Sequence, residues 1–503
     1  MVEVDNEVLL LNNLKIELPA LSIVETARPK QLFNDKQVEE RLSPISGIHE
    51  YGPYDSTSTD QYLKRSFDEI ELFVFYPQGE SKVFSSLKYL MELMEYGYNR
   101  LTSRIDVDFD GFKQEFRLKR VHVPDRSEFI SYKLGELDRV IQDHKELFYS
   151  SFRGGSIPIA IVGGTSHRSF YQNREQYIEA KRVFTSMDIP SQYVSYYEIE
   201  DSGFGLLWQV QRYYNTKSNP LGFALWNLSL NIYGKAGGIP WIVRQNISPK
   251  TNEVIDFSIG IRFSRIPNQR GYVLGHAVIL DRFGKLSGTL TTRPLRLMGM
   301  KLSKYQAFRF FQDILIKALS DERVREIYGK GKREKINIAI HRLSTFHLEE
   351  IEGLKQALNK IREEVNVSEV NYGLISIIRS PLLALFDESN PYKNVVYGTA
   401  LQINENTALI YTTGPLTQRA KRSMSYPIIA SCVNLARRNS PFQTMSEVCN
   451  HILNVAALHW QTVIQASVRL PATLEFAQNI AKLASYGIQL KTGSWLEKTL
   501  WFL

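Results

Sequence analysis

Apolar and polar positions change period several times along this chain of 503 residues, and the changes divide it. Up to residue 44 the pattern is short alternation, as in Leu14-Lys-Ile-Glu-Leu18, which predicts a small strand-rich arm. A turn-rich stretch follows, Gly47 to Asp55. Residues 70–76 then form a continuous apolar run that predicts a buried strand, and residues 81–98 a helix. Ile157-Pro-Ile-Ala-Ile-Val162 predicts another buried strand, ending at Gly163-Gly164. After it come a helix, a short strand over 192–196, and helices over 205–214 and 220–233. Strand and helix in alternation predict a parallel sheet covered by helices.

Beyond Trp241 the pattern changes. Residues 257–263 and 272–280 predict neighbouring strands of a meander, and 304–319 a long amphipathic helix. A strand over 336–341, a helix over 346–364, and strands within 372–378 and 395–411 come next. Helices near 447–466 and 474–484 close the chain. Meander strands followed by helix, strand and helix are the order of an RNase H-like core. The fold class expected is therefore α/β. No repeat with a period of 20–50 residues is visible, which excludes solenoids and propellers.

Composition adds limits rather than a function. Hydrophobic residues make up 43% and charged residues 23%, as in ordinary globular proteins, and the net charge of +8 suggests an anionic partner. Cys432 and Cys449 form neither a zinc pattern nor a disulfide framework, which fits a reducing compartment. The first residues are acidic where a secretory leader would be basic, and the apolar run at 374–385 is broken by Arg379 and Pro381. A cytoplasmic location is expected.

The chemistry concentrates in one region. Asn231 and Lys235 lie four apart and so share a helix face, and Gly237-Gly238 stops that helix. Tyr177 and Lys181 repeat the spacing on an earlier helix, and Gln192 follows. An aromatic plate, two ammonium groups and two amides are suited to holding one terminal phosphate and stacking its base.

Several local sequences together resemble the Argonaute family. They are Tyr51-Gly-Pro-Tyr54, Lys235-Ala-Gly-Gly-Ile-Pro-Trp241, His341-Arg342 after an apolar strand, Leu470-Pro471 with Phe476-Ala477, and Trp501-Phe502-Leu503. The resemblance covers roughly residues 45–503 and implies a short prokaryotic Argonaute. Its parts would be an N-terminal arm (1–44), a Rossmann-like MID domain with its linker (45–240) and an RNase H-like PIWI domain (241–503). It implies that Tyr177 stacks on the first guide base, and that Lys181, Gln192 and Lys235 bind the guide 5′ phosphate with Asn231 in support. It also implies a magnesium ion between that phosphate, Gln192 and the terminal carboxylate of Leu503.

In active family members, carboxylates on PIWI strands and a final Asp or His hold two metal ions. Here the corresponding positions carry Arg262, Leu343 and Gln478. The glutamate position is not evident. Asp256, Asp281, Glu349 and Glu350 read as solvated charges. The function implied is guide-directed recognition of a complementary strand without cleavage, with an RNA guide and a DNA target. It would serve in defence against plasmids or phages, through a separately encoded effector for which residues 1–44 are the candidate docking surface. The alternatives are an active endonuclease whose carboxylates lie elsewhere, and a scaffold that binds no guide.

Basic clusters at Arg117 to Arg120, Arg262 with Arg265, Arg293 with Arg296, Arg419 with Lys421-Arg422, and Arg437-Arg438 are candidate groove contacts, and His167-Arg168 is a further one. No phosphate-binding P-loop, zinc-protease or serine-hydrolase motif is present.

Overall fold

The computed structural model describes residues 8–11, 14–17, 22–27, 29–34, 37–39, 43–99, 106–166, 170–197, 205–216, 220–244, 254–266, 269, 271–296, 301–319, 335–365, 369–379, 395–414, 427–464, 470–491 and 493–503. The clusters at His167-Arg168 and at Arg419 to Arg422, and residues 380–385 of the apolar run, lie outside these.

Two sheets organise the chain. The first has five strands, all parallel. Glu69–Pro77 lies at its centre, with Ser156–Gly163 and then Ser191–Val194 on one side. Arg120–His122 and Ile130–Tyr132 pair with successive halves of its other edge. The expected alternation explains it. Ile159 to Val162 are wholly buried, as a parallel strand covered on both faces must be. The helix Leu137–Arg153 packs Phe148 against Phe73 and Phe75, and the helix Phe170–Ser186 brings Phe184 to the same cluster. The helices Ser81–Tyr96, Leu206–Thr216 and Gly222–Lys235 also belong to this half.

The second sheet has ten strands. Its core runs Leu286–Thr291, Tyr272–Asp281, Phe257–Arg265, Lys335–Arg342, Glu369–Arg379. The first three are antiparallel neighbours, and the next two join in parallel through the helices Lys304–Leu319 and Leu348–Val365. This is the meander followed by crossovers that the sequence predicts. Ile428–Cys432, Thr407–Ile410 and Ala400–Asn404 continue it antiparallel. The helix Ala472–Ser485 crosses the Phe257–Arg265 strand so closely that a Cβ on Gly260 would sit 2.2 Å from the Thr473 carbonyl oxygen.

Three expectations change. The turn-rich stretch is helical, Pro44–Tyr51 and Tyr54–Thr57. Pro44 starts the first helix at a position where its missing N–H costs nothing, and Gly52, at φ +80°, ends it. The helix expected at 447–466 is Met445–Ala456, started by a reciprocal cap between Thr444 and Glu447. The arm residues are built into the body. Ser22–Val24 pairs with Ala400–Asn404 at the edge of the second sheet, and Lys30–Asn34 pairs with Ile242–Arg244. Phe33 is fully buried against Trp241. No helix among the described residues is long and apolar enough to cross a membrane.

Candidate nucleic-acid interface

Four of the residues singled out near the first sheet come together. Lys181 leaves the middle of the Phe170–Ser186 helix and is only 2% exposed. Its Nζ donates to the carbonyl oxygens of Ser191 and Trp501 at 3.0 and 3.2 Å, and to an oxygen of Leu503 at 2.7 Å. Lys235, in the last turn of its helix, is fully buried and donates to Gln192 Oε1. Gln192 Nε2 in turn donates to the Tyr193 carbonyl at 3.1 Å.

Burial removes water from both ammonium groups and favours their neutral forms. Lys181 is pushed down to about 7. Lys235 falls well below the usual lysine range, first through burial and then through the neighbouring charge of Lys181. Neither lysine has a carboxylate side chain among its hydrogen-bond partners. Lys181 thus faces two carbonyl oxygens and an oxygen of Leu503, whereas Lys235 faces a neutral amide oxygen.

The two lysines are not equivalent. An ammonium group has three donors, and all three of Lys181 are used. Lys181 thus ties the chain's last residues to this half. Tyr177 is half-buried on the same helix, edge-on to Tyr193 at 5.7 Å, and burial raises its phenol. Asn231 Oδ1 is buried without a hydrogen-bond partner among the described residues.

Two of the sequence stretches that carry the resemblance meet directly. Tyr54 N and Asp55 N donate to the carbonyls of Pro240 and Ile239 at 3.0 and 3.3 Å. The fully buried Asp55 carboxylate accepts from Ile239 N at 2.7 Å and from the Tyr233 hydroxyl. Burial raises Asp55 to about 7, against these hydrogen bonds and the Arg65 charge. The turn after Lys235 is held by this clamp. Gly237 takes φ +92°, open to glycine without strain, and Gly238 lies under the Tyr233 ring, where a Cβ would come within 2.3 Å.

In the second sheet, Arg262 and Gln478 share Arg379 as a neighbour, and Leu343 does not join them. Arg262 is two residues beyond Gly260 and so points to the same face, toward the Ala472–Ser485 helix. Arg379, at the end of its strand, donates to Gln478 Oε1 at 3.2 Å and to Glu475 Oε2 at 3.5 Å. Burial lowers Arg262, and the Arg379 charge lowers it further while Glu475 opposes. Leu343 packs into the apolar cluster behind the strand. Below it, His341 bridges Thr473 Oγ1 at 2.8 Å and His451 Nε2 at 3.1 Å, fixing the start of the helix that carries Glu475 and Gln478. The sequence reading missed Arg379 and Glu475, which lie on other elements and are gathered only by strand order.

Three acidic residues expected to be solvated are not. Asp256 is buried and pairs with Arg282 at 2.9 Å, Asp281 is buried and accepts from Tyr62, and Glu350 is buried against Arg342. Each sits at a strand or helix end, where free backbone N–H groups offer partners. Glu349 is exposed, with Lys301 at 2.9 Å. Among the described residues, one group has metal-ligand geometry, His49, Asp110 and Glu115, and it lies in the first half of the chain. Arg120, Arg265, Arg293, Arg296, Arg437 and Arg438 are exposed.

No protein-family model and no curated protein matches the sequence. The fold, however, is that of Argonaute proteins. Clostridium butyricum Argonaute bound to a guide DNA with a 5′ deoxycytidine and a 19-mer target DNA superposes with a TM-score of 0.65 at 20% identity, over 96% of this chain and 54% of that one. A. aeolicus Argonaute superposes with a TM-score of 0.55 at 15% identity, over 96% and 56%. Aa-Ago with externally bound siRNA gives 0.54 at 16%, over 96% and 56%. The chain spans about half the length of these structures.

Proposed function

We propose that the chain holds a short guide nucleic acid by its 5′ phosphate and presents it to a complementary strand without cutting that strand. The observation that carries this reading is the buried pair Lys181 and Lys235, gathered with Gln192 and Leu503 and lacking a carboxylate side chain to neutralise it. A terminal phosphate, with up to two charges and three acceptor oxygens, matches two desolvated ammonium groups. Lys235 takes the direct contact, and Lys181 holds the wall of the pocket. Tyr177 provides the ring for the first base, and Asn231 supports the phosphate through its amide N–H donors, its Oδ1, unpartnered among the described residues, being an acceptor only. We read this as the MID portion of a short Argonaute, residues 45–240, followed by a PIWI portion, 241–503.

Magnesium fits this pocket only together with phosphate. Gln192 Oε1 and a Leu503 oxygen are hard donors of the right kind, but each already accepts from a lysine. The remaining coordination sites must come from the phosphate and water. With Arg262, Leu343 and Gln478 at the positions where the family's metal ligands are expected, the reading is recognition rather than hydrolysis. The RNA guide, the DNA target, and a separately encoded effector acting in defence belong to the same proposal.

The test is binding of 5′-phosphorylated and 5′-hydroxyl guides, RNA and DNA, to the parent and to Lys181→Ala with Lys235→Ala. Charge-assisted hydrogen bonds contribute roughly 1.5–3 kcal/mol each, so the double variant loses about 100-fold or more for the phosphorylated guide alone. Equal loss for both guides removes the pocket assignment.

A further inference from the structure

We propose that Arg262, Arg379 and Gln478 form a clamp for one backbone phosphodiester of the strand paired to the guide, with Glu475 as a resident counter-ion that the phosphodiester displaces. The inference rests on the guide-binding reading above and adds a second anion site in the other half of the molecule.

One guanidinium, Arg379, contacts the Glu475 carboxylate, and a second, Arg262, lies near both. Arg379 reaches Glu475 at 3.5 Å, a loose contact, and Gln478 at 3.2 Å. Arg262 is close enough to feel both the Arg379 and the Glu475 charges, yet its Nε is buried without a hydrogen-bond partner among the described residues. Two positive charges against one negative leave an excess of one. A purely structural ion pair between Arg379 and Glu475 has no use for a second guanidinium, whose burial costs free energy.

The carboxylate is also poorly satisfied. Burial pushes Glu475 up despite both arginines. A phosphodiester carries one charge and accepts two parallel N–H bonds from a guanidinium, which a long single contact to Glu475 does not provide. The side chains sit where three elements meet, and all are partly exposed, so a strand lying across the sheet can reach them. His276, opposite Arg262 in the strand register, is held neutral by burial and by the Arg262 charge, so it does not add to the field. No bond is made or broken at this site.

The test uses the full chain loaded with a 5′-phosphorylated guide, and measures affinity for complementary DNA between 50 and 300 mM salt, a range over which each phosphate contact contributes about one unit to the log–log slope. R262Q and R379Q are expected to weaken target binding about 5- to 10-fold and to reduce the slope by about one, with guide affinity unchanged. E475Q is expected to tighten target binding, because the competing carboxylate is gone; a merely structural pair would give loss or no change. R379Q and E475Q carry the test if R262Q does not fold. Unchanged affinity and slope in R379Q, with target still bound, overturn the clamp alone. Loss already at the guide-only step overturns its assignment to the target strand. A parent protein that binds no guided target overturns both this inference and the reading it rests on.

Discussion

The two halves of the molecule handle buried charge in opposite ways. In the first half, Lys181 and Lys235 are sunk beneath the sheet edge and face carbonyl and amide oxygens. In the second, apart from the Arg262 cluster, described buried charges are paired or hydrogen-bonded, as in Asp256 with Arg282, Glu350 with Arg342 and Asp281 with Tyr62, and His276, His341, His451 and His459 are held neutral. Matched pairs and neutral rings give a rigid framework at small electrostatic cost. Unmatched ammonium groups do the reverse. They cost stability in the free protein, and on the proposed reading that cost is offset when the guide phosphate binds.

The largest expected effect comes from acid. Burial lowers His276 and His459 to about 4, His451 to about 3, and His341 well below its usual range. Below about pH 6.5, where an unfolded histidine titrates, the unfolded chain binds protons that the native one refuses. Stability therefore falls as pH falls, by about 1.4 kcal/mol per unit for each such histidine until its native pKa is reached. Urea denaturation at pH 7.5 and 5.5 should show a loss of several kcal/mol, confined to the second half if the halves melt separately. Equal stability at the two pH values breaks the comparison.

The next effect sharpens it from the other side. Replacing the fully buried Lys235 by methionine removes an ammonium group that lacks a charged partner. Lys235→Met is expected to lose about 10- to 100-fold in affinity for a 5′-phosphorylated guide while raising stability by roughly 1–3 kcal/mol. A melt that drops instead of rising would show that Lys235 is structural.

A third prediction concerns pH in the binding reaction. With Lys181 at about 7 in the free protein, binding above that pH requires proton uptake. Preference for the phosphorylated guide should fall up to tenfold per unit above about pH 7, and fall again below about pH 6 as the phosphate loses its second charge. A flat profile from pH 6 to 8.5 would show that the charge of Lys181 does not act on the phosphate. The smallest effect is expected at the rim, where Arg293 and Arg296 are exposed. Arg293→Gln with Arg296→Gln should change target affinity less than about threefold at 150 mM salt, with a shallower salt slope as its main sign.

Much of the fold could be read in the sequence, because long apolar runs and helical periodicity are local. The Ser156–Gly163 strand, the Lys304–Leu319 helix and the stop at Gly237-Gly238 all lie close to their predicted places. Ile428–Cys432 escaped because its five residues mix Ala, Ser and Cys with isoleucine. The Leu137–Arg153 helix also escaped, although Leu137, Ile141 and Phe148 mark its buried face. At the site, the spacing of Tyr177 with Lys181 and of Asn231 with Lys235 was legible. The acceptors of Lys181 were not, since Ser191, Trp501 and Leu503 offer backbone oxygens that no side-chain pattern announces. Arg379 and Glu475 stayed hidden for a related reason. They lie 96 positions apart and are joined only by the order of strands in a sheet.

The tie between Lys181 and Leu503 spans 322 positions. It is reinforced by Leu500 N, which donates to the Gly234 carbonyl at 3.2 Å just before Lys235. A contact so distant along the chain forms late, because its loop-closure entropy has to be met by everything folded in between. During synthesis the lysines emerge more than 250 positions ahead of the residues that complete their pocket. On the proposed reading, the pocket is among the last parts of the fold to assemble, and truncation before Leu500 is expected to abolish binding of a 5′-phosphorylated guide.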